Sequence, residues 1–298
     1  MEWQHIVGFH QVARQGSFTK AAEATFRSQS ALSQQVKALE EELGCRLLER
    51  IGKRKLKLTE AGERFFRFTQ SVLGSYDGLQ EELQELQGTP TGELRLAAPF
   101  TTLYHLLREV LREYPRLFPQ VRLAILDRSQ PEVFDLVRQG DIDFGFALES
   151  ATPRDLKARR WQEMEMVLMT PKNHPLTRLE RVTIEDIARY PLILPPRGQR
   201  SPGRQTLEAS FRQQNLDYRV VMESSNVELS SLYVELGLGV SFATVVKGLP
   251  LPGQRSLAFL PISPGAVPDF LAVILRKDKI VNNFMEAFLD LLLAGPLP

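Results

Sequence analysis

Apolar residues recur at helical steps from the start of the chain: Trp3, Ile6, Phe9, Val12 and Ala13 mark an amphipathic helix. The glycine of Gln15-Gly16 suits a left-handed C-cap. Ser17 then stands where an N-cap would, and FTKAAEATF predicts a second helix whose Ala21 and Ala22 let another helix approach closely. After a break at Arg27-Ser28, Ser28 is the expected N-cap of a third helix, which carries Leu32, Val36, Leu39 and Leu43 on one face and stops at Gly44. Its other face reads Gln29, Ser30, Ser33, Gln34 and Lys37. Ser is a poor helix-interior residue and Gln a middling one, so propensity alone would not choose this composition.

Two short helices joined by a tight turn, the second polar on its outer side, form a helix-turn-helix arrangement. Short hydrogen-bonding side chains on such a helix can meet base edges and phosphates in a major groove. For an isolated helix, plain solvation would be the better explanation; the neighbouring segments shift the balance. In RLLERIGKRKLKLTEAG, Leu47, Leu48 and Ile51 precede a basic tip and Leu56 and Leu58 alternate with lysines after it, which predicts a two-stranded wing. Arg50, Lys53 and Arg54, with Lys55 and Lys57, are then available to phosphates or the minor groove.

From Thr59 to about Gln87 the pattern is one long helix, with Ala61, Phe65, Phe68, Val72, Tyr76, Leu79, Leu83 and Leu86 in a heptad-like stripe. A stripe this long with few neighbours in its own chain calls for a partner, and it leads into the linker GTPTG. After Gly92 the pattern changes to strands alternating with helices. ELRLAAP, VRLAILD, DFGFAL, MVLMTP, PLILPP, RVVME, VSFATV and FLAVILRK are candidate strands, separated by helices such as Leu103 to Tyr114, Glu132 to Gln139, Arg204 to Gln213 and Asn226 to Gly237. That predicts an α/β region with mostly parallel sheets, long enough for two subdomains.

Composition is that of an ordinary globular chain of 298 residues with a net charge of +1. The charge is unevenly placed. Residues 1–58 hold ten Lys/Arg and six Glu, a balance of +4, which leaves −3 for the remainder and marks the N-terminal part as the one facing a polyanion. Apolar runs fall short of the roughly 18 residues of a membrane span, and no secretory signal is evident, so a cytoplasmic location is expected. One cysteine and four histidines without metal spacing suggest no metal centre, and no cofactor is expected. The string GVSFA at Gly239 to Ala243 lacks the last glycine of a nucleophile elbow, and no phosphate-binding glycine loop occurs, so an enzyme is not expected. A solute-binding protein would explain the second half and leave the first ninety residues without a role.

Open α/β sheets take ligands at the carboxyl ends of their strands, where helix N-termini present free N–H groups. Four loops qualify: Pro99 to Thr102, Arg128 to Gln130, Pro196 to Gly198, and Glu223 to Asn226. Thr101, Thr102, Ser129, Arg197 and Asn226 are the candidate effector contacts, favouring a small anion; each residue alone is as well explained as a helix cap.

The order SFTKAAEATFRSQSALSQQVKALEEELGCRLLER, then a basic turn and LTEAG, resembles the N-terminal domain of LysR-type bacterial transcriptional regulators over roughly the first sixty-five residues. The sequence departs from the family at Ser30, where proline is common. The resemblance implies an all-α winged helix-turn-helix domain plus long linker helix, followed by an α/β type 2 periplasmic-binding-protein-like effector domain of two subdomains. The expected division is residues 1–58 for DNA binding, 59–87 for the linker and dimerisation helix, 88–92 for a hinge and 93–298 for the effector domain. Within it, subdomain I takes about 93–160 and 265–298 and subdomain II about 161–264. It further implies double-stranded DNA, a small-molecule effector and the protein itself, as homodimer or homotetramer, for partners, with RNA polymerase left open as another. GDIDFGF and YVELGLGVSF carry the resemblance into the second half, and SPGRQTLEASF is similar to the branch of the family that senses small sulfur compounds or sulfate.

Overall fold

The computed structural model describes residues 1–51, 55–85, 90–197, 202–248, 255–262 and 269–294. The first helix, α1 (Trp3–Gln15), ends at Gly16, whose φ of 58° is the left-handed conformation that glycine adopts without strain. Helix α2 (Phe18–Thr25) is capped by the Ser17 side chain, which accepts from the Lys20 N–H. Ser28 does the same for α3 (Gln29–Leu43), accepting from the Ala31 N–H at 3.2 Å. Phe9, Val12, Ala21, Ala22, Leu32, Val36, Leu39 and Leu47 bury one another in a common core.

Strands β1 (Leu48–Ile51) and β2 (Lys55–Leu58) pair antiparallel, Leu48 opposite Leu58. The Glu40 carboxylate holds their base to α3 by accepting from the N–H groups of Leu47 and Leu48 at 2.7 and 3.0 Å. Thr59 then turns the chain into α4 (Glu60–Glu85), its hydroxyl donating to the Arg46 carbonyl and accepting from the Gly62 N–H. A side chain at residue 62 would lie 1.9 Å from the Leu47 carbonyl oxygen, so this crossing of wing and helix needs glycine. Helix α4 packs across α1: Phe65 meets Phe9 edge-on at 5.1 Å and Phe66 stacks on His10.

The remaining residues build one nine-stranded sheet. Strand β3 (Gly92–Ala98) leads into α5 (Phe100–His105) and α6 (Arg108–Leu117), and β4 (Val121–Asp127) into α7 (Gln130–Gln139). After β5 (Phe144–Leu148) the chain enters β6 (Leu156–Pro171), then α8 (Ile184–Ala188), β7 (Leu192–Leu194), α9 (Pro202–Gln213), β8 (Val220–Glu223) and α10 (Val227–Glu235). Strands β9 (Val240–Val246), β10 (Leu257–Pro261) and β11 (Asp269–Arg276) precede the last helix, α11 (Asn283–Leu293).

Strand β3 runs parallel to β4 and β5, and β7 parallel to β8 and β9. The expectation of mostly parallel sheets fails between these groups. There β6 and β11 pair antiparallel with each other, β11 with β5, and β6 with β9 and β10, because both long strands pass between the two halves in opposite directions. Strand β6 is also far longer than the expected MVLMTP. Its first half, LKARRWQE, is polar and largely unburied, so it carries no apolar run to betray a strand; pairing with β11 holds it extended.

The single helix expected from Leu103 to Tyr114 breaks at Leu106-Leu107. The break re-aims α6 so that Leu107, Val110 and Tyr114 are all buried, and the Tyr114 hydroxyl donates to the Phe284 carbonyl at 3.0 Å. Burial pushes that phenol well above its usual range. One core lies around Phe144, Phe146, Tyr114 and Phe288, and another around Leu168, Leu192, Leu207 and Phe211. Among the described residues no helix is long and apolar enough to cross a membrane.

Candidate DNA interface and effector loops

The face of α3 opposite its core is exposed throughout. Gln29, Ser30, Ser33, Gln34 and Lys37 all point away from Leu32, Val36 and Leu39. The side chains of Gln29, Ser33 and Gln34 take no hydrogen-bond partner among the described residues. Ser30 shares a 3.0 Å hydrogen bond with Ser28, and Lys37 forms a solvent-exposed pair with Glu41 at 3.5 Å, a contact worth little in water. By contrast Gln35, one residue on, is taken by the Arg27 guanidinium at 3.2 Å. The helix thus offers a strip of free donors and acceptors whose backbone is fixed by packing behind it. Arg50 lies on β1 opposite Leu56, while Lys53 and Arg54 lie outside the described residues.

The four effector loops behave differently, because most of their polar groups are already spoken for. Thr101 and Thr102 open α5, with Thr102 buried. Ser129 caps α7 and donates its hydroxyl and its N–H to one oxygen of Glu132, at 2.6 and 2.9 Å. Those bonds hold the Glu132 carboxyl below its usual range and place a negative charge at the helix N-terminus where a ligand anion was expected. The side-chain oxygen of Asn226 accepts from the N–H groups of Glu228 and Leu229, capping α10. Arg197 is exposed and stands 3.7 Å from Glu208.

Sequence reasoning left Arg204 out of the site. Its side chain is buried and bonds Glu208 at 2.9 Å, Glu223 at 2.8 Å and the Pro195 carbonyl, so it ties three of the surrounding segments together. The Arg204 guanidinium is also the first cause holding the Glu208 and Glu223 carboxyls below their ordinary values. The i,i+4 spacing of Arg204 and Glu208 was the available signal. A second contact missed is His105 Nε2 with Glu228 at 2.6 Å, which joins α5 to α10 across the two halves.

A cavity of about 1670 Å³ opens beside that contact, lined by Thr101, Arg108, Arg112, Lys172 and Arg255 among others. Thr102, Ser129, Arg197 and Asn226 are not among its lining residues. It is too large to grip a small anion, the usual ligand pocket being roughly 300–1,000 Å³. A depression of about 460 Å³ brings Gln130, Phe134 and Arg138 of α7 together with Gln205 of α9.

The far end of α7 meets both the linker helix α4 and the DNA-binding unit. The Arg138 carbonyl accepts from the Gln70 amide at 2.8 Å, and Asp141 pairs with Arg14. His10 is buried between α1 and α4, hydrogen-bonded to Thr69 at 3.1 Å. Burial, then the nearby charges of Arg14 and Arg276, lowers its pKa to about 4, so it is neutral at physiological pH.

A winged helix-turn-helix joined by a long helix to a two-part α/β domain defines a ligand-responsive DNA-binding regulator. Residues 3–63 match the family described as "Bacterial regulatory helix-turn-helix protein, lysR family", and residues 87–296 match the "LysR substrate binding domain". The chain belongs to the LysR family. It is 32% identical over 287 residues to the transcriptional activator CmpR of Synechocystis sp., covering 96% of this chain and 93% of that protein. It is 31% identical to the regulator cbl of Escherichia coli, covering 99% and 93%. Full-length OxyR from Pseudomonas aeruginosa has the same fold, with a TM-score of 0.69 at 24% identity over 99% of this chain and 97% of that one. The chain is a DNA-binding transcriptional regulator under effector control.

Proposed function

We propose that α3 reads operator bases through Gln29, Ser33 and Gln34, flanked by Ser30 and Lys37, while Arg50, Lys53 and Arg54 of the wing hold phosphates. The observation that carries this reading is the uncommitted polar strip on a helix fixed from behind. Two such units on one duplex require a dimer, and the half-exposed Phe68, Tyr76, Leu79 and Leu83 of α4 form the apolar stripe for it. The working form is a homodimer or a homotetramer. The division into a DNA-binding unit to residue 58, a linker helix to 87 and two effector subdomains from 93 onward follows the same reading.

The effector is a small anion held between the subdomains by the loops carrying Thr101, Thr102, Ser129, Arg197 and Asn226. Sulfate and small sulfur-containing acids are the first class to try. Fluorescence anisotropy with the protein's own upstream DNA tests the DNA-binding assignment: the double variant Ser33→Ala, Gln34→Ala should weaken binding about a hundredfold. An unchanged affinity would remove α3 as the reading element. Light scattering of Leu79→Glu, Leu83→Glu should show a smaller assembly than the wild type. Thermal-shift screening of the full chain with sulfate and small acids, repeated on Thr102→Ala and Arg197→Ala, tests the effector loops.

A further inference from the structure

Phe26 sits at the tip of the turn between α2 and α3, two residues before the Ser28 cap, and the residue is 99% exposed. The other phenylalanines of this unit's helices, Phe9 and Phe18, pack into its core. The backbone at Phe26 is left-handed, φ 53°, a conformation costly for a bulky residue. Asn215 is the other non-glycine residue with positive φ among the described residues, and asparagine is a type that tolerates it. The turn is nonetheless locked: the N–H groups of Phe26 and Arg27 donate to the Glu23 and Ala22 carbonyls. A strained backbone thus holds a large apolar ring in water, three and four residues before Gln29 and Ser30 at the start of α3. Neither packing nor turn chemistry accounts for an aromatic residue there.

We propose that Phe26 is a DNA-contacting residue that lays its ring on apolar surface of the operator beside the polar contacts of α3. The surface is either a thymine methyl in the major groove or deoxyribose at its rim. The inference rests on α3 being the reading helix. A recognition helix enters the groove N-terminus first, which carries the tip of this turn to the DNA.

The test uses the full chain and its upstream duplex, followed by anisotropy and by urea unfolding. Phe26→Asn should weaken binding about tenfold, from lost burial of the ring, while its unfolding midpoint stays equal or rises because asparagine accepts the left-handed backbone. Phe26→Gly should behave alike. Replacing thymidine by deoxyuridine separates the two surfaces. A duplex that weakens wild type but not Phe26→Asn puts the ring on the methyl, and one that affects both equally puts it on the sugar. If Phe26→Asn binds like wild type while Ser33→Ala, Gln34→Ala binds weakly, the contact is refuted and the reading of α3 survives. If neither variant weakens binding, both are refuted. Loss of assembly together with DNA binding would make the ring a contact between protomers and overturn the proposal.

Discussion

The outer strip of α3, built of Gln, Ser and Lys, and the proposed effector loops, which carry Thr, Ser, Arg and Asn, are both polar rows, yet their side chains are in opposite states. On α3 the side chains of Gln29, Ser33 and Gln34 have no partner among the described residues, whereas Ser129 and Asn226 cap helices and Arg197 faces Glu208. The difference fits what each surface is proposed to receive. A duplex brings its own dense array of donors, acceptors and charge, so a reading helix needs only a rigid, empty strip. A small ligand must be surrounded, and a ligand taken by these loops, as proposed, would compete with Glu132 and Glu208 for the same donors.

That contrast can be broken most severely at Arg204. Arg204→Met removes the bonds of a buried guanidinium to Glu208, Glu223 and the Pro195 carbonyl and, at about 1 kcal/mol net for each, should destabilise the effector domain by about 3 kcal/mol. Trp3 reports on the DNA-binding unit and Trp161 on the effector domain, so urea unfolding followed through Trp161 in a Trp3→Phe background should move. The Trp3 signal in a Trp161→Phe background should not. Equal shifts in both would mean the two regions unfold as one.

The next effect is on the other region and depends on pH. His10 is held neutral by burial, with a folded pKa near 4 against about 6.5 in the unfolded chain, so the unfolded state binds the extra proton. Its contribution is therefore fully present above pH 6.5 and is lost as pH falls toward 4, in total about 3 kcal/mol as an upper estimate. Unfolding read through Trp3 should show that slope, and His10→Gln should flatten it. The smallest effect sharpens the comparison directly. Glu132→Gln should slightly weaken the cap of α7. If an anion uses this loop, the variant should enlarge the thermal shift produced by sulfate, since the competing carboxylate is gone.

The DNA-binding unit was legible because each of its signals is local. Ser17 and Ser28 cap, Gly16 and Gly44 stop, and the apolar spacing of α3 singles out its free face within fifteen residues. The effector domain was legible as alternating elements, but not in the antiparallel pairing of β6 with β11. The first half of β6 is extended by its neighbour, not by its own residues, and the Leu106-Leu107 break in the α5-α6 segment serves the core it packs on. Likewise, the hydroxyl of Ser129 can be read as a ligand donor or as a cap from sequence alone. Only the position of Glu132 in space decides which bond it makes, and the i,i+4 spacing that announces Arg204 with Glu208 says nothing of its bond to Glu223.

As proposed, the free strip of α3 carries sequence information and not merely affinity. Its most direct test is the ratio of dissociation constants for a scrambled duplex and for the protein's own upstream sequence, measured at one salt concentration for wild type and Gln34→Ala. This ratio should fall about tenfold in the variant while binding to the scrambled duplex is unchanged. A variant that loses affinity for both duplexes by the same factor would make Gln34 a backbone contact and leave α3 without its reading role.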